Sequence, residues 1–253
     1  MTGARDEVLS GERVVPGELE FGAQAWHLRK YLFARRFAEG KRVLDCGCGV
    51  GWGTAMLAEA ARWTVGVDMA EPVVRYARER YGHPRLTYVA MDVTRLAFPA
   101  GTFDLVVSIE VFEHIADSEA FLVELHRVLR PGGHVVLSTP NAQLERWQSR
   151  RDGWANAFHV NLTDPAALRA ALARQFQGVV LYGLRRRGNP LYNALRALDV
   201  FDLRLRLFPH RARSAICRGL GVPAAHEVGP EDILVETEAT GKAQMTIAVA
   251  TKG

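Results

Sequence analysis

Short apolar runs alternate with amphipathic stretches through the first half of the chain. Arg42–Cys46 is β-branched and apolar and ends in a glycine-rich loop, and Thr54–Ala61 continues it with helical character. Thr64–Asp68 predicts a second strand, and Glu71–Tyr81 a helix with Val73, Val74 and Ala77 on one face. Leu86–Met91 and Phe103–Ile109 read as the third and fourth strands. Across Asp117–Arg130 the apolar residues Phe121, Leu122, Leu125, Val128 and Leu129 recur at the spacing of one buried helix face. Pro131-Gly132-Gly133 stops that helix. His134–Thr139 follows as a fifth strand, apolar on consecutive positions as in a strand covered on both faces.

Strands separated by helices imply right-handed crossovers and a mainly parallel sheet. After Asn141 the rhythm changes. A polar loop is expected to Thr163, then a helix over Pro165–Phe176 capped by Asp164, with late strands at Val179–Leu184 and Met245–Thr251. The expected architecture is one α/β domain, Rossmann-like and doubly wound. It has a mainly parallel seven-stranded sheet, helices on both faces and an antiparallel strand at the C-terminal edge. Residues 1–40 read as a helical cover, 42–141 as the ligand-binding core and 185–228 as an inserted lid or docking element.

Composition narrows the class. A hydrophobic content of 48% with 24% charged residues is that of a globular domain, and 253 residues suffice for one core. The first residues are polar, without a secretory apolar stretch, and no apolar run approaches the ~18 residues of a membrane-spanning helix. Three cysteines, two of them in the glycine loop, suit a reducing compartment, so a cytoplasmic location is expected. From Arg185 to Gly219 nine arginines face two acids, which reads as a solvated helix face. The alternating Phe201–Phe208 segment reads as plain surface, with weak peripheral membrane contact as its alternative. The chain has no aromatic-interleaved RNA motif and no zinc-finger spacing, so nucleic acid is not an expected partner.

The loop Leu44-Asp45-Cys46-Gly47-Cys48-Gly49-Val50-Gly51-Trp52-Gly53 leaves the carboxyl end of strand 1, the usual ligand crevice of such sheets. A dinucleotide fingerprint G-x-G-x-x-G fails here in both frames, at Trp52 and at Thr54. Asp45 would also set like charge against a phosphate, whereas a ligand bearing an amino group and a sulfonium tolerates it. Asp68 ends strand 2, where a carboxylate can accept two ribose hydroxyls. Asp92 ends strand 3, placed to accept from an adenine amine while Met91 packs on the ring. Cys46 and Cys48 read as small packing residues.

Val43–Gly51 resembles motif I of class I S-adenosylmethionine-dependent methyltransferases, and Phe103–Ile115 resembles their motif IV in the small-molecule O-methyltransferase branch. Leu129-Arg130-Pro131-Gly132-Gly133 is similar to the turn before their fifth strand. The resemblance implies S-adenosyl-L-methionine as cofactor, with Asp45, Gly47 and Gly49 at its methionine end, Asp68 on the ribose and Asp92 on the adenine. Met69, Met91, Val93 and Ile109 join this set, Ile109 through its backbone. An N-terminal helix commonly covers the cofactor in this family, and Arg29 could meet its carboxylate. Trp26 and His27 on that helix read as packing or surface residues.

Smaller signals concern the acceptor. Ser10-Gly11-Glu12-Arg13-Val14-Val15-Pro16, Ser138-Thr139-Pro140-Asn141 and Asn156-Ala157-Phe158-His159 resemble stretches of bacterial methyltransferases that act on glycans and glycolipids, including those of methylglucose lipopolysaccharide. That implies a hydroxyl acceptor on a sugar, glycolipid or glycosylated natural product. A quinone or phenol acceptor is the alternative, and a non-catalytic cofactor-binding module the reading of another class. An alcohol must lose its proton, so a base is needed. His114, next to Glu113 and just past strand 4, is the first candidate, and His159 the second. Glu113 or Glu110 could orient the ring or polarise the acceptor. His114, His159, Asn141 and Glu113 could also form a divalent-cation site, although nothing in their spacing demands one.

Overall fold

The structure is a computed structural model that describes residues 14–15, 21–152, 156–187, 228–238 and 243–253. The Ser10–Pro16 opening, apart from Val14 and Val15, the Phe201–Phe208 segment and all but the start of the arginine-rich stretch lie outside the described residues.

The elements run α1 (Phe21–Arg35), β1 (Arg42–Cys46), α2 (Trp52–Ala60), β2 (Trp63–Asp68), α3 (Glu71–Arg80), β3 (Leu86–Ala90) and β4 (Phe103–Ile109). They continue with a 3-10 turn (Phe112–His114), α4 (Ser118–Val128), β5 (Leu129–Pro140), α5 (Ala142–Asp152), α6 (Pro165–Ala173) and β6 (Gln177–Arg186). A second 3-10 turn (Pro230–Asp232), β7 (Ile233–Thr237) and β8 (Met245–Thr251) complete the described fold.

These strands form one eight-stranded sheet in the order β3-β2-β1-β4-β5-β8-β6-β7. The first five pair in parallel, whereas β8 runs antiparallel between β5 and β6, and β7 antiparallel to β6 at the margin. The count is therefore eight rather than the expected seven. The added strand is Ile-Leu-Val-Glu-Thr, a run of five residues with one buried position, too short and one-sided to stand out by periodicity.

Successive strand residues point to opposite faces, and each face has its own core. Leu44, Val106, Val135 and Leu137 pack with Phe121 and Leu125 of α4 and Leu168 and Leu172 of α6. Val43, Leu105, Val107 and Val136 pack with Tyr31 and Phe33 of α1 and Leu57 of α2. Asp117 and Asp164 cap α4 and α6 by accepting from the N–H groups of Ala120 and Ala167. The expected polar loop after Asn141 is instead α5 over most of its first half. Asn141 starts it: its Oδ1 accepts the Gln143 N–H at 3.0 Å, and its carbonyl accepts the Glu145 N–H. The strand order reverses between β1 and β4, which opens a crevice at their carboxyl ends where ligands bind in such sheets.

Candidate active site

A cavity of 1160 Å³ lies at that crevice. It exceeds the roughly 300–1,000 Å³ of a single small-ligand pocket, so it offers room for two reactants side by side.

One side is built by the glycine loop. Gly47, Gly49 and Gly51 all have positive φ. At Gly47 (φ 75) a Cβ would collide with the Val111 side chain, and at Gly51 (φ 89) it would come within 2.7 Å of Ala77 and 2.8 Å of the Tyr88 hydroxyl. Tyr88 fastens the loop by donating its hydroxyl to the Gly51 carbonyl at 2.7 Å. Asp68 fastens it from the other side: its two oxygens accept the N–H groups of Gly49 and Ala70, each at 3.0 Å. Asp92 accepts the Thr94 N–H and hydroxyl, both at 2.8 Å, and these bonds hold its carboxyl below the usual range.

Beneath the loop Asp45 is fully buried and accepts from the Thr54 hydroxyl at 2.7 Å and the Tyr31 hydroxyl at 3.2 Å. Burial lifts its carboxyl to about 7, against the pull of those two hydrogen bonds. The same burial, with Asp45 alongside, pushes the Tyr31 phenol well up, so Tyr31 stays a donor.

The α1 cover is pinned by a buried ion pair. Lys30, with no solvent exposure, places Nζ 3.1 Å from Oε2 of Glu110. The other Glu110 oxygen accepts the Ser138 hydroxyl at 2.8 Å. Burial alone would raise the Glu110 carboxyl, but Lys30, with the Ser138 hydroxyl behind it, overrides that and holds it low. Glu110 carries a positive φ of 55, a strained setting for a residue with a side chain, where the chain leaves β4.

The other side of the cavity holds Glu113, His114, Asn141, Glu145, Phe158, His159 and Gln244. Glu113 is 1% exposed, and its Oε2 has no hydrogen-bond partner among the described residues. Burial, reinforced by the neighbouring Glu110 charge, pushes its carboxyl well up. His114 Nδ1 lies 3.0 Å from the Phe158 carbonyl, which can only accept, so this nitrogen carries the proton. His159 Nδ1 lies 2.6 Å from Glu145 Oε1. The two rings meet edge to face, with centroids 5.1 Å apart. Ligand atoms of Glu113, His114 and His159 fall within 4.8 Å of one another, close enough to surround a cation or a hydroxyl group.

With this geometry in view, comparison with known proteins is specific. Residues 44–137 match the family model of a methyltransferase domain. A protein of Mycolicibacterium smegmatis named as a probable S-adenosylmethionine-dependent methyltransferase is 37% identical over 163 residues, covering 63% of this chain and 61% of that protein. The fatty-acid O-methyltransferase of the same organism is 34% identical over 119 residues, 46% of this chain and 43% of that protein. The chain thus spans about two fifths to three fifths of the length of these two relatives. A SAM-dependent methyltransferase of Thermotoga maritima shares the fold with a TM-score of 0.63 and 15% identity, over 92% of this chain and 91% of that one. Over residues 44–137 the chain is thus similar to a methyltransferase domain, and its fold is shared with a methyltransferase.

Of the residues singled out from the sequence, Gly47, Gly49, Asp68, Met69, Asp92, Val93 and Ile109 all line the cavity, as do Glu113, His114 and His159. Three expectations differ in placement. Asp45 lies behind the wall, where it holds Tyr31 and Thr54. Met91 is not on the wall; its sulfur accepts the Ala97 N–H at 3.3 Å and it packs on the core, while Met69, 81% exposed, faces the opening. Arg29 is also off the wall, and Trp26, His27 and Tyr31 of the same helix line it instead. Of the two readings of His27, packing or surface, burial favours the first: with the Lys30 charge it pushes the imidazole to about 3, which keeps it neutral. Lys30, Glu145 and Gln244 were not singled out from the sequence. Lys30 could have been found from its register, one turn from Trp26 and from Ala34 on the buried face of α1. The run Asn141-Ala-Gln-Leu-Glu145 carries a helix-start signal that would have turned Glu145 toward the site.

Proposed function

We propose that the protein is an S-adenosylmethionine-dependent O-methyltransferase that methylates a hydroxyl on a sugar, glycolipid or glycosylated natural product. The bound cofactor supplies a methyl group already activated by its sulfonium. What the chain must do is hold both partners in line, a contribution worth about 7–11 kcal/mol, and take the proton of the acceptor. Asp68 and Asp92, each with its orientation fixed by loop hydrogen bonds, would hold the ribose and the adenine. The Gly47–Gly51 backbone fits a group that needs close approach, because side chains at Gly47 and Gly51 would collide with their neighbours.

The observation that carries a hydroxyl acceptor is the pair of imidazoles on the far wall, each with Nδ1 committed to a fixed acceptor. An ionised carboxylate would need no base. A sugar alcohol needs one. A second reading, methylation of a fatty-acid carboxylate, is favoured by the activity named for one relative and by the apolar rim. Phe158 and Val160 there are 62% and 61% exposed. No helix among the described residues is long and apolar enough to cross a membrane.

The test is transfer of labelled methyl from the cofactor to octyl glucoside, an alkyl catechol and a long-chain fatty acid. Label in the glucoside, reduced ~10²-fold or more by His114→Ala together with His159→Ala, is the expected result. Label confined to the fatty acid would overturn the hydroxyl reading. Cofactor binding without transfer to any of a broad acceptor panel would point to a binding module.

A further inference from the structure

We infer that Glu145 is a positioning residue that makes His159 the general base of this site. The inference rests on the hydroxyl-acceptor reading above. Glu145 lies on α5, one turn past the Asn141 start, and His159 on the loop that returns beneath it. Their side chains are 17% and 12% exposed, and the Nδ1–Oε1 separation of 2.6 Å is that of a strong charge-assisted hydrogen bond.

The loop is itself held. The Asn156 side chain accepts the Phe158 N–H at 3.0 Å, the Asn156 carbonyl accepts the His159 N–H at 3.3 Å, and the Asn161 N–H donates to the Glu113 carbonyl at 2.9 Å. His159 is therefore fixed in tautomer and in place. With Nδ1–H given to Glu145, proton traffic with a substrate falls to Nε2.

His159 donates to a carboxylate, which both orients the ring and offers charge to an imidazolium, and a histidine that must hold a proton through a transfer gains most from such a partner. In the step itself, the acceptor oxygen forms its bond to the methyl carbon as the methyl–sulfur bond breaks, with that electron pair left on sulfur. The hydroxyl proton passes to Nε2 of His159. His114 and Glu113 hold the acceptor oxygen beside it.

The experiment uses the full chain and three variants, Glu145→Gln, Glu145→Asp and His114→Ala, with octyl glucoside as acceptor. Glu145→Gln is expected to lower kcat ~10²-fold or more with KM little changed. It should also move the acid limb of the kcat profile to lower pH, because the imidazolium loses its counter-charge. Glu145→Asp should restore part of the rate, and His114→Ala should act mainly on KM. Nitrogen-edited NMR of the imidazoles supplies a readout that needs no acceptor. A downfield Nδ1 proton on His159 should be present in the wild type and lost in Glu145→Gln, while S-adenosylhomocysteine still binds both. An unchanged pH profile and kcat in Glu145→Gln would overturn this inference alone. So would loss of wild-type turnover on chelation with recovery on adding magnesium, since His159 would then serve a cation. Transfer by the wild type to fatty acid but to neither hydroxyl probe would overturn the hydroxyl reading and the need for a base with it.

Discussion

Asp45 has no solvent exposure, and burial between Tyr31 and Thr54 lifts its carboxyl from 3.8 to about 7. The folded protein thus keeps a proton there that the unfolded chain has already released above pH 4. In that window the unfolded state binds fewer protons, so this group takes stability away as pH rises, by at most about 1.4 kcal/mol per pH unit, and the loss stops near pH 7. Asp45→Asn removes the titration. The melting temperature of the variant minus that of the wild type, both without ligand, is expected to climb from pH 4 to 7 and level off above. A difference that stays flat across that range would mean Asp45 is ionised throughout. Gly51→Ala makes a separate demand, because its Cβ would press on Ala77 and Tyr88 at a φ of 89. About 1–3 kcal/mol of destabilisation is expected by denaturant titration, with weaker S-adenosylhomocysteine binding by calorimetry. At this scale the sequence reveals residue types well: three aspartates and a run of glycines are visible in print. It does not reveal which face a side chain takes. Asp45 turns away from the cavity because the pleat sends neighbouring strand residues to opposite sides, and no motif records that choice.

At the level of elements, α1 is a cover held by one fully buried ammonium on Glu110. Taking away one partner of a buried ion pair strands the other charge, which costs about 3–5 kcal/mol. Lys30→Met is therefore expected to lower stability by that order in chemical denaturation. The double variant Lys30→Met with Glu110→Gln should recover a good part of it, since no charge is then left alone. If the two single losses simply add, the pair is not coupled and the cover is held by its apolar contacts alone. The strands β1 to β5 and their helices were legible because each carries a long apolar run or a single-faced period. α5 was not, since within Ala142–Asp152 only Leu144 and Trp147 are large and apolar. A helix with so narrow a stripe looks like a loop until its Asn start is weighed, and reading it as a loop concealed Glu145.

For the whole molecule, the sheet order divides the labour. The loops after β1, β2 and β3 build one side of the cavity, and those after β4 and β5, with residues just before β8, build the other. A ligand that binds only the native state stabilises it by mass action, about 2.7 kcal/mol at a hundredfold excess over its Kd. S-adenosylhomocysteine is therefore expected to raise the melting temperature, and NADH to leave it unchanged, because the failed dinucleotide spacing disfavours a pyrophosphate at this loop. The two sides can be separated by one variant on each. Asp68→Asn keeps an acceptor for one loop N–H but gives up the charge, so the shift with S-adenosylhomocysteine should shrink. His159→Ala should keep that shift whole while losing transfer to octyl glucoside. If both variants lose the shift alike, the cavity acts as one site and the division between cofactor and acceptor walls fails. A shift with NADH and none with S-adenosylhomocysteine would instead remove the cofactor itself, since the same glycine loop would then be cradling phosphate.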